Sequence, residues 1–136
     1  MAGVMKSKPL FLFAVVFWIT IPFSVSAVTV PEITEAEKSL AIRGIGDHHQ
    51  GVREAVISQE GRKIKLAIIV NPEISEVDAR QLGDNFVRLV KSFSKDKTPG
   101  SDIGAGIYDY FIYVYYPNRK LIAVGQKHRV YSQISW

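Results

Sequence analysis

The sequence predicts an α+β fold, a two-layer sandwich in which one main helix packs across a mixed sheet of four to five strands. The elements follow one another in the order helix, strand, strand, helix, strand, strand. An amphipathic helix separates the two strand pairs, so the strands on either side of it are expected to be parallel and joined by a right-handed crossover. The 136 residues have room for one domain.

The first 27 residues have the pattern of an export signal. Two lysines form a positive start, an apolar run covers residues 10–21, and residues 25–27 form a small-residue cleavage pattern. The run is short for a bilayer span, which needs about 20 residues. We therefore expect cleavage after Ala27 and a secreted or periplasmic domain over residues 28–136. A membrane-anchored accessory protein with an uncleaved signal is the alternative.

Composition and charge exclude several kinds of protein. At 47% hydrophobic and 22% charged residues the chain is globular and not disordered. With no cysteine it has no disulfide, iron–sulfur cluster or thiol nucleophile. The signal segment holds two of the 17 basic residues and none of the 13 acidic ones, which leaves a mature charge of +2. That charge is too small to favour a polyanion, so no nucleic acid partner is expected.

The first helix is predicted to begin after Thr34, which has the capping-box spacing to Glu37. Gly44 is expected to end this helix in the left-handed conformation. Residues 44–51 contain three glycines and are predicted to form a loop.

Two strands follow, over residues 52–59 and 63–70, and a tight hairpin joins them. The second strand begins with alternating lysine and apolar residues and ends as a continuous apolar run up to Val70. Because apolar residues point to both faces at its end, this strand is predicted to be central in the sheet and to be covered on both faces there.

The best-supported helix begins after Ser75, which is placed to cap it, with Asp78 in the first turn. Lys91 is predicted to lie with other charged residues on its solvated side. Gly83 costs a helix about 1 kcal/mol relative to alanine, which suggests close packing on a strand. The core stripe is predicted to contain Ala79, Leu82, Phe86, Leu89, Val90 and Phe93.

The last third of the chain has the strongest strand pattern. After a long loop over residues 94–106, a tyrosine-rich strand covers 107–116, and a turn leads to a fourth strand over 121–124. Residues 129–134 are expected to form a fifth strand or an ordered tail.

This tyrosine-rich and basic region predicts a binding surface. One face of the strand must pack under the helix, which leaves two or three tyrosines on the other face. Tyrosine beside arginine is typical of surfaces that recognise proteins, sugars or stacked bases, although aromatic residues also serve packing within sheets. The candidate binding residues are Tyr113, Tyr115, Tyr116, Arg119 and Arg129.

The sequence therefore predicts a small exported, non-catalytic module of the cell envelope or extracellular space that binds a protein or another envelope component. A homodimer is also considered, because an aromatic strand at the edge of a sheet would pair with its twin.

The alternative is a metal-dependent or hydrolytic enzyme built on Asp47, His48 and His49, with His128 as a further ligand. Imidazole and carboxylate groups suit zinc, copper or nickel. Adjacent side chains on an extended loop point apart, however, so His48 and His49 are weak metal candidates. No catalytic residue and no cofactor is expected, because the chain has no Gly-x-Ser-x-Gly motif and Gly104-Ala105-Gly106 opens a strand instead of a helix.

Overall fold

The computed structural model describes residues 29–96 and 103–136. The predicted signal segment and cleavage site lie outside the described residues, as does the centre of the long loop. Within the described residues, the predicted order of elements is confirmed. The elements are α1 (Glu35–His48), β1 (Val52–Glu60), β2 (Lys63–Val70), α2 (Glu76–Phe93), β3 (Asp109–Tyr115) and β4 (Leu121–Lys127).

The four strands form one mixed sheet in the order β1-β2-β3-β4. The two hairpins are antiparallel, and β2 and β3 are parallel as the crossover rule predicts. The tyrosine-rich strand β3 therefore lies inside the sheet with both of its edges hydrogen-bonded. Pairing of two copies through an edge of this strand, as the sequence suggested, is wrong. The expected fifth strand is reduced to one bridge between Gln126 and Ser135.

Both helices lie on one face of the sheet. Helix α1 packs against β1 and α2, and α2 crosses β2, β3 and β4. The register places the inward residues of β2 beside those of β3, so they form one continuous layer under the helices. The fully buried residues of β2 and β3 are Ile64, Leu66, Ile68, Val70, Tyr110, Ile112 and Val114.

The predicted N-terminal caps of both helices are confirmed. The backbone N–H of Glu37 donates to Thr34 Oγ1 (3.1 Å), and the N–H of Thr34 donates to Glu37 Oε1 (2.9 Å), which completes the capping box. Ser75 Oγ accepts from the N–H of Asp78 (3.1 Å). Neither of these described helices has the length and apolar character that crossing a membrane requires.

Helix α1 does not end at Gly44 but continues to His48, so the predicted loop over residues 44–51 is wrong for most of its length. A Cβ atom at Gly44 would lie 3.0 Å from Leu89 Cδ2. The glycine therefore allows α1 and α2 to approach each other closely, and Ile45 beside it is fully buried. Tertiary packing outweighs the tendency of glycine to end a helix.

The chain after β4 folds back over two glycines. A Cβ atom at Gly83 of α2 would lie 2.5 Å from Trp136 Cη2 and 2.9 Å from Ile112 Cγ2. A Cβ atom at Gly125 of β4 would lie 2.7 Å from the same indole ring. The predicted close packing at Gly83 is confirmed, and Trp136 accounts for part of it.

Alanine substitutions at two helical glycines are expected to change stability in opposite directions. Gly46→Ala should raise the free energy of unfolding by about 0.5–1 kcal/mol, because no atom lies within 4 Å of the added Cβ. Gly83→Ala should lower it by about 1–3 kcal/mol, because the added Cβ overlaps Trp136 and the buried Ile112. Urea unfolding measures both values, and a gain from Gly83→Ala would contradict the packing described.

Candidate functional site

The sheet face that points away from both helices is the candidate site, and we call it the open face. None of its residues is buried, and no described element packs on it. Cross-strand register joins its four columns of side chains into rows, such as Val56, Ala67, Tyr113 and Val124. The open face consists of residues 54, 56, 58 and 60 of β1, residues 63, 65, 67 and 69 of β2, residues 109, 111, 113 and 115 of β3, and residues 121, 124 and 126 of β4.

The centre of the open face is apolar and aromatic. The rings of Tyr113 and Tyr115 are stacked, with centroids 6.5 Å apart and planes 19° apart. Val56 and Val124, on the outer strands of the same sheet, are each 48% exposed. The expectation that the end of β2 is covered on both faces is wrong, because Ile69 has no element above it and is only half-buried. Contiguous exposed apolar side chains of this kind mark interaction sites.

The charged residues of the open face follow the strands. Glu54 and Glu60 make the β1 column acidic, and Lys63 and Lys65 make the β2 column basic. Lys63 Nζ lies 5.4 Å from the centroid of the Phe111 ring, within reach of a cation–π interaction.

The structure divides the predicted tyrosines into two groups. Tyr113 and Tyr115 lie together on the open face, where their rings and hydroxyl groups are available to a partner. Tyr116 is half-buried, and its hydroxyl donates to the carbonyl of Ile74 (2.7 Å), which ties the end of β3 to the turn before α2. Tyr116 therefore has a structural contact of its own.

The predicted arginines lie at opposite ends of the open face. Arg119 is in the turn after β3 with a φ of 70°, and its side chain is exposed. Arg129 Nη1 lies 3.0 Å from Asp109 Oδ2, at the beginning of β3, and its backbone N–H donates to the same carboxylate (2.8 Å). Arg129 thus fastens the chain after β4 to the sheet.

The histidine residues do not form one site. Asp47 and His48 lie in the last turn of α1, and not on a loop as predicted, and His49 caps that helix. His49 Nε2 is 3.3 Å from Asn85 Nδ2 in a groove between the helices. His128 instead lies 3.7 Å from a carboxylate oxygen of Asp109, at the sheet. Across residues 29–96 and 103–136 no group of three or more His, Cys, Asp or Glu side chains is placed to hold a metal ion.

A buried polar cluster that the sequence did not predict lies under α2. Asp96, which is 2% exposed, accepts hydrogen bonds from the Tyr110 hydroxyl (2.6 Å) and the Ile107 N–H (2.6 Å). Its carboxylate also lies 3.3 Å from Lys91 Nζ. The prediction that Lys91 is solvated is wrong, because this ion pair draws its side chain inward until it is 4% exposed.

Lys127 lies beside this cluster, with its Nζ 5.9 Å from the centroid of the Tyr110 ring. It is fully buried, and its Nζ has no hydrogen-bond partner among the described residues. Desolvation and then the nearby charge of Lys91 lower the pKa of the Lys127 amine below its ordinary value. Desolvation and Asp96 raise the pKa of Tyr110 well above the usual range. This cluster lies beneath the helices, on the side of the sheet opposite the open face.

No protein-family model matches this chain, and no curated protein and no solved structure matches it either. The candidate site is therefore defined by the chain's own residues, above all by the open face with Tyr113 and Tyr115 at its centre.

Proposed function

We propose that this chain is a small exported, non-catalytic protein-binding module of the cell envelope or extracellular space that binds through its open face. The observation that carries the proposal is the uncovered face itself, on which two stacked tyrosines stand among exposed aliphatic side chains. The export part of the proposal is supported by the pattern of the first 27 residues.

The chemistry of the open face favours a protein surface as its partner. Tyr113 and Tyr115 supply large apolar area with few rotatable bonds and a polar end, a combination enriched at protein interfaces. Val56 and Val124 extend the apolar area to both edges of the sheet. Exposed charges surround this centre, as polar rims surround the apolar cores of interfaces.

Chemical crosslinking in the cells that produce the protein tests this proposal. An amine-reactive reagent should capture a protein through Lys63 or Lys65, which are exposed on the open face. Few crosslinks are expected through Lys38, which lies on α1 in the helical layer of the fold. Capture through α1 with none through the open face would contradict the proposed surface.

Substitution of the stacked tyrosines should separate binding from stability. Tyr113→Ser combined with Tyr115→Ser is expected to weaken partner binding by about 100-fold or more, because central aromatic side chains dominate interface energy. The substitution Arg119→Ser, at the rim, should weaken it by about tenfold or less. The midpoint of thermal unfolding should fall by only a few degrees, because both rings are partly exposed.

The matched control is Tyr108→Ser, which removes a fully buried ring of the same strand region. That change should reduce stability by about 3–5 kcal/mol. Unchanged binding in the Tyr113→Ser and Tyr115→Ser variant would contradict the proposed function.

A further inference from the structure

We propose that the partner of the open face is a second copy of this chain, docked face to face as a symmetric dimer. The inference rests on the proposed function, because it assigns an occupant to the same face. Two arrangements with a twofold axis in the plane of the interface keep the strands of the two sheets aligned. The charges of the open face distinguish between them.

In the first arrangement the twofold axis runs parallel to the strands, between β2 and β3. It places β1 of one copy opposite β4 of the other copy, and β2 opposite β3. Glu54 of the β1 column then faces Leu121 of the partner, the residue that directly follows the basic turn with Arg119 and Lys120. Lys63 of β2 shares a row of the sheet with Asp109, so it meets the Asp109 carboxylate of the second copy, which also binds Arg129 of its own chain. Opposite charges therefore meet in neighbouring columns.

An axis perpendicular to the strands gives the opposite result. It places each strand opposite the same strand of the second copy, so Glu54 of each copy faces Glu60 of the other. Like charges placed opposite each other across an interface cost several kcal/mol. The charge pattern of the open face thus favours the first arrangement alone.

The apolar side chains agree with that arrangement. Ala67, the smallest side chain on β2, lies in the row of Tyr113, so the dimer places this alanine opposite the Tyr113 ring of the partner. Lys65 lies in the row of Phe111 and would cover that ring in the second copy, as Lys63 does within one chain. Alternation of large and small side chains is what two interdigitating sheets require.

The expected dimer is weak and reversible. Strand spacing and rise give the open face a footprint of roughly 19 Å by 23 Å, which is small for a specific interface. We therefore expect a dissociation constant on the order of micromolar, and a mixture of monomer and dimer in the purified protein.

Charge reversal tests the arrangement with two complementary variants. Glu54→Lys places like charge against the basic turn, and Arg119→Asp with Lys120→Glu places like charge against Glu54. Each variant alone should dimerise at least about tenfold more weakly than the natural protein. An equimolar mixture of the two variants should recover the dimer. In the mixed dimer position 54 of each copy faces a turn of opposite charge in the other copy. Asp47→Lys, at the exposed end of α1, is the control and should change nothing.

Sedimentation equilibrium of the purified protein between about 10 and 500 µM measures these constants. A monomer at every concentration, or variants that fail to restore each other, would overturn the inference. If the natural protein is monomeric while the open face still captures a different protein in cells, the dimer fails and the proposed function stands. If the open face captures neither, both fail.

Discussion

Asp96→Ala is expected to lower the free energy of unfolding by about 3–5 kcal/mol, a large part of the stability of a domain of this size. The Asp96 carboxylate neutralises Lys91 and accepts hydrogen bonds from Tyr110 and from the backbone of Ile107. Its loss leaves the buried ammonium charge of Lys91 uncompensated beside Lys127, which already has no hydrogen-bond partner among the described residues. Urea unfolding followed by circular dichroism measures the change.

The control for this prediction is Asp84→Ala, which breaks the contact with Arg88 (2.7 Å) on the exposed side of α2. An exposed pair of this kind contributes about 0.5 kcal/mol or less. If Asp96→Ala prevents folding, Tyr110→Phe gives a milder test, since it removes one hydrogen bond to a charged group and should cost about 1.5–3 kcal/mol. Equal effects of Asp96→Ala and Asp84→Ala would contradict the buried cluster.

Lys127→Met is expected to stabilise the protein at neutral pH by about 1–3 kcal/mol. The lysine amine is fully buried without a hydrogen-bond partner in the described structure, and that arrangement carries a desolvation cost which methionine does not have. Lys65→Met, on the open face, is the control and should change stability by less than about 0.5 kcal/mol. Destabilisation by Lys127→Met would show that the amine has a favourable partner.

The same residue gives the protein a pH dependence of known sign. Burial lowers the pKa of Lys127 in the folded state below its ordinary value of 10.5. At pH values between these two pKa values, the unfolded chain binds a proton at Lys127 that the native chain does not. Stability should therefore rise with pH over this interval. The groups that face Lys127 are Lys91 from α2, Asp96 after it, and Asp109 and Tyr110 from β3.

At higher pH the tyrosines reverse this slope. Tyr108 and Tyr110 have pKa values raised above the ordinary 10.0 in the folded state, so the native chain keeps protons that the unfolded chain loses. Stability should fall as the pH rises above about 10. Urea unfolding from pH 7 to 11 measures both slopes, and Lys127→Met should remove the rise and keep the fall.

Local patterns account for most of the fold. Capping residues at Thr34 and Ser75 located the helix starts, and alternation in β2 identified Ile64 and its neighbours as the inner face. The parallel pairing of β2 and β3 followed from a single helix between them. These features depend on residues close in the chain, which a sequence displays directly.

The errors concern residues whose role depends on distant parts of the chain. Gly44 was predicted to end α1, but it faces Leu89 across the contact between the two helices. The helical periodicity of α2 places Lys91 on the solvated side, but its ion pair with Asp96, five positions later, holds the side chain in the core. No periodicity in a sequence reports such contacts.

The candidate site was predicted in part. Alternation along β3 predicted two or three tyrosines on the face away from the helix but did not decide which face that is, so Tyr116 was grouped with Tyr113 and Tyr115. The separate contacts of Tyr116 and Arg129 depend on Ile74 and Asp109, which are distant in sequence. The contributions of Val56 and Val124 to the open face were not foreseen, because they follow only from the order of strands in the sheet.

Site-specific photo-crosslinking in the producing cells tests whether the open face binds a protein. A photoreactive residue is placed at Val124, at the centre of β4 on the open face, and in a separate variant at Gln81, which is exposed on α2. We expect a protein adduct from position 124, of twice the chain mass if the partner is a second copy, and none from position 81. An adduct from position 81 with none from position 124 would show that binding, where it occurs, uses the helical layer and not the open face.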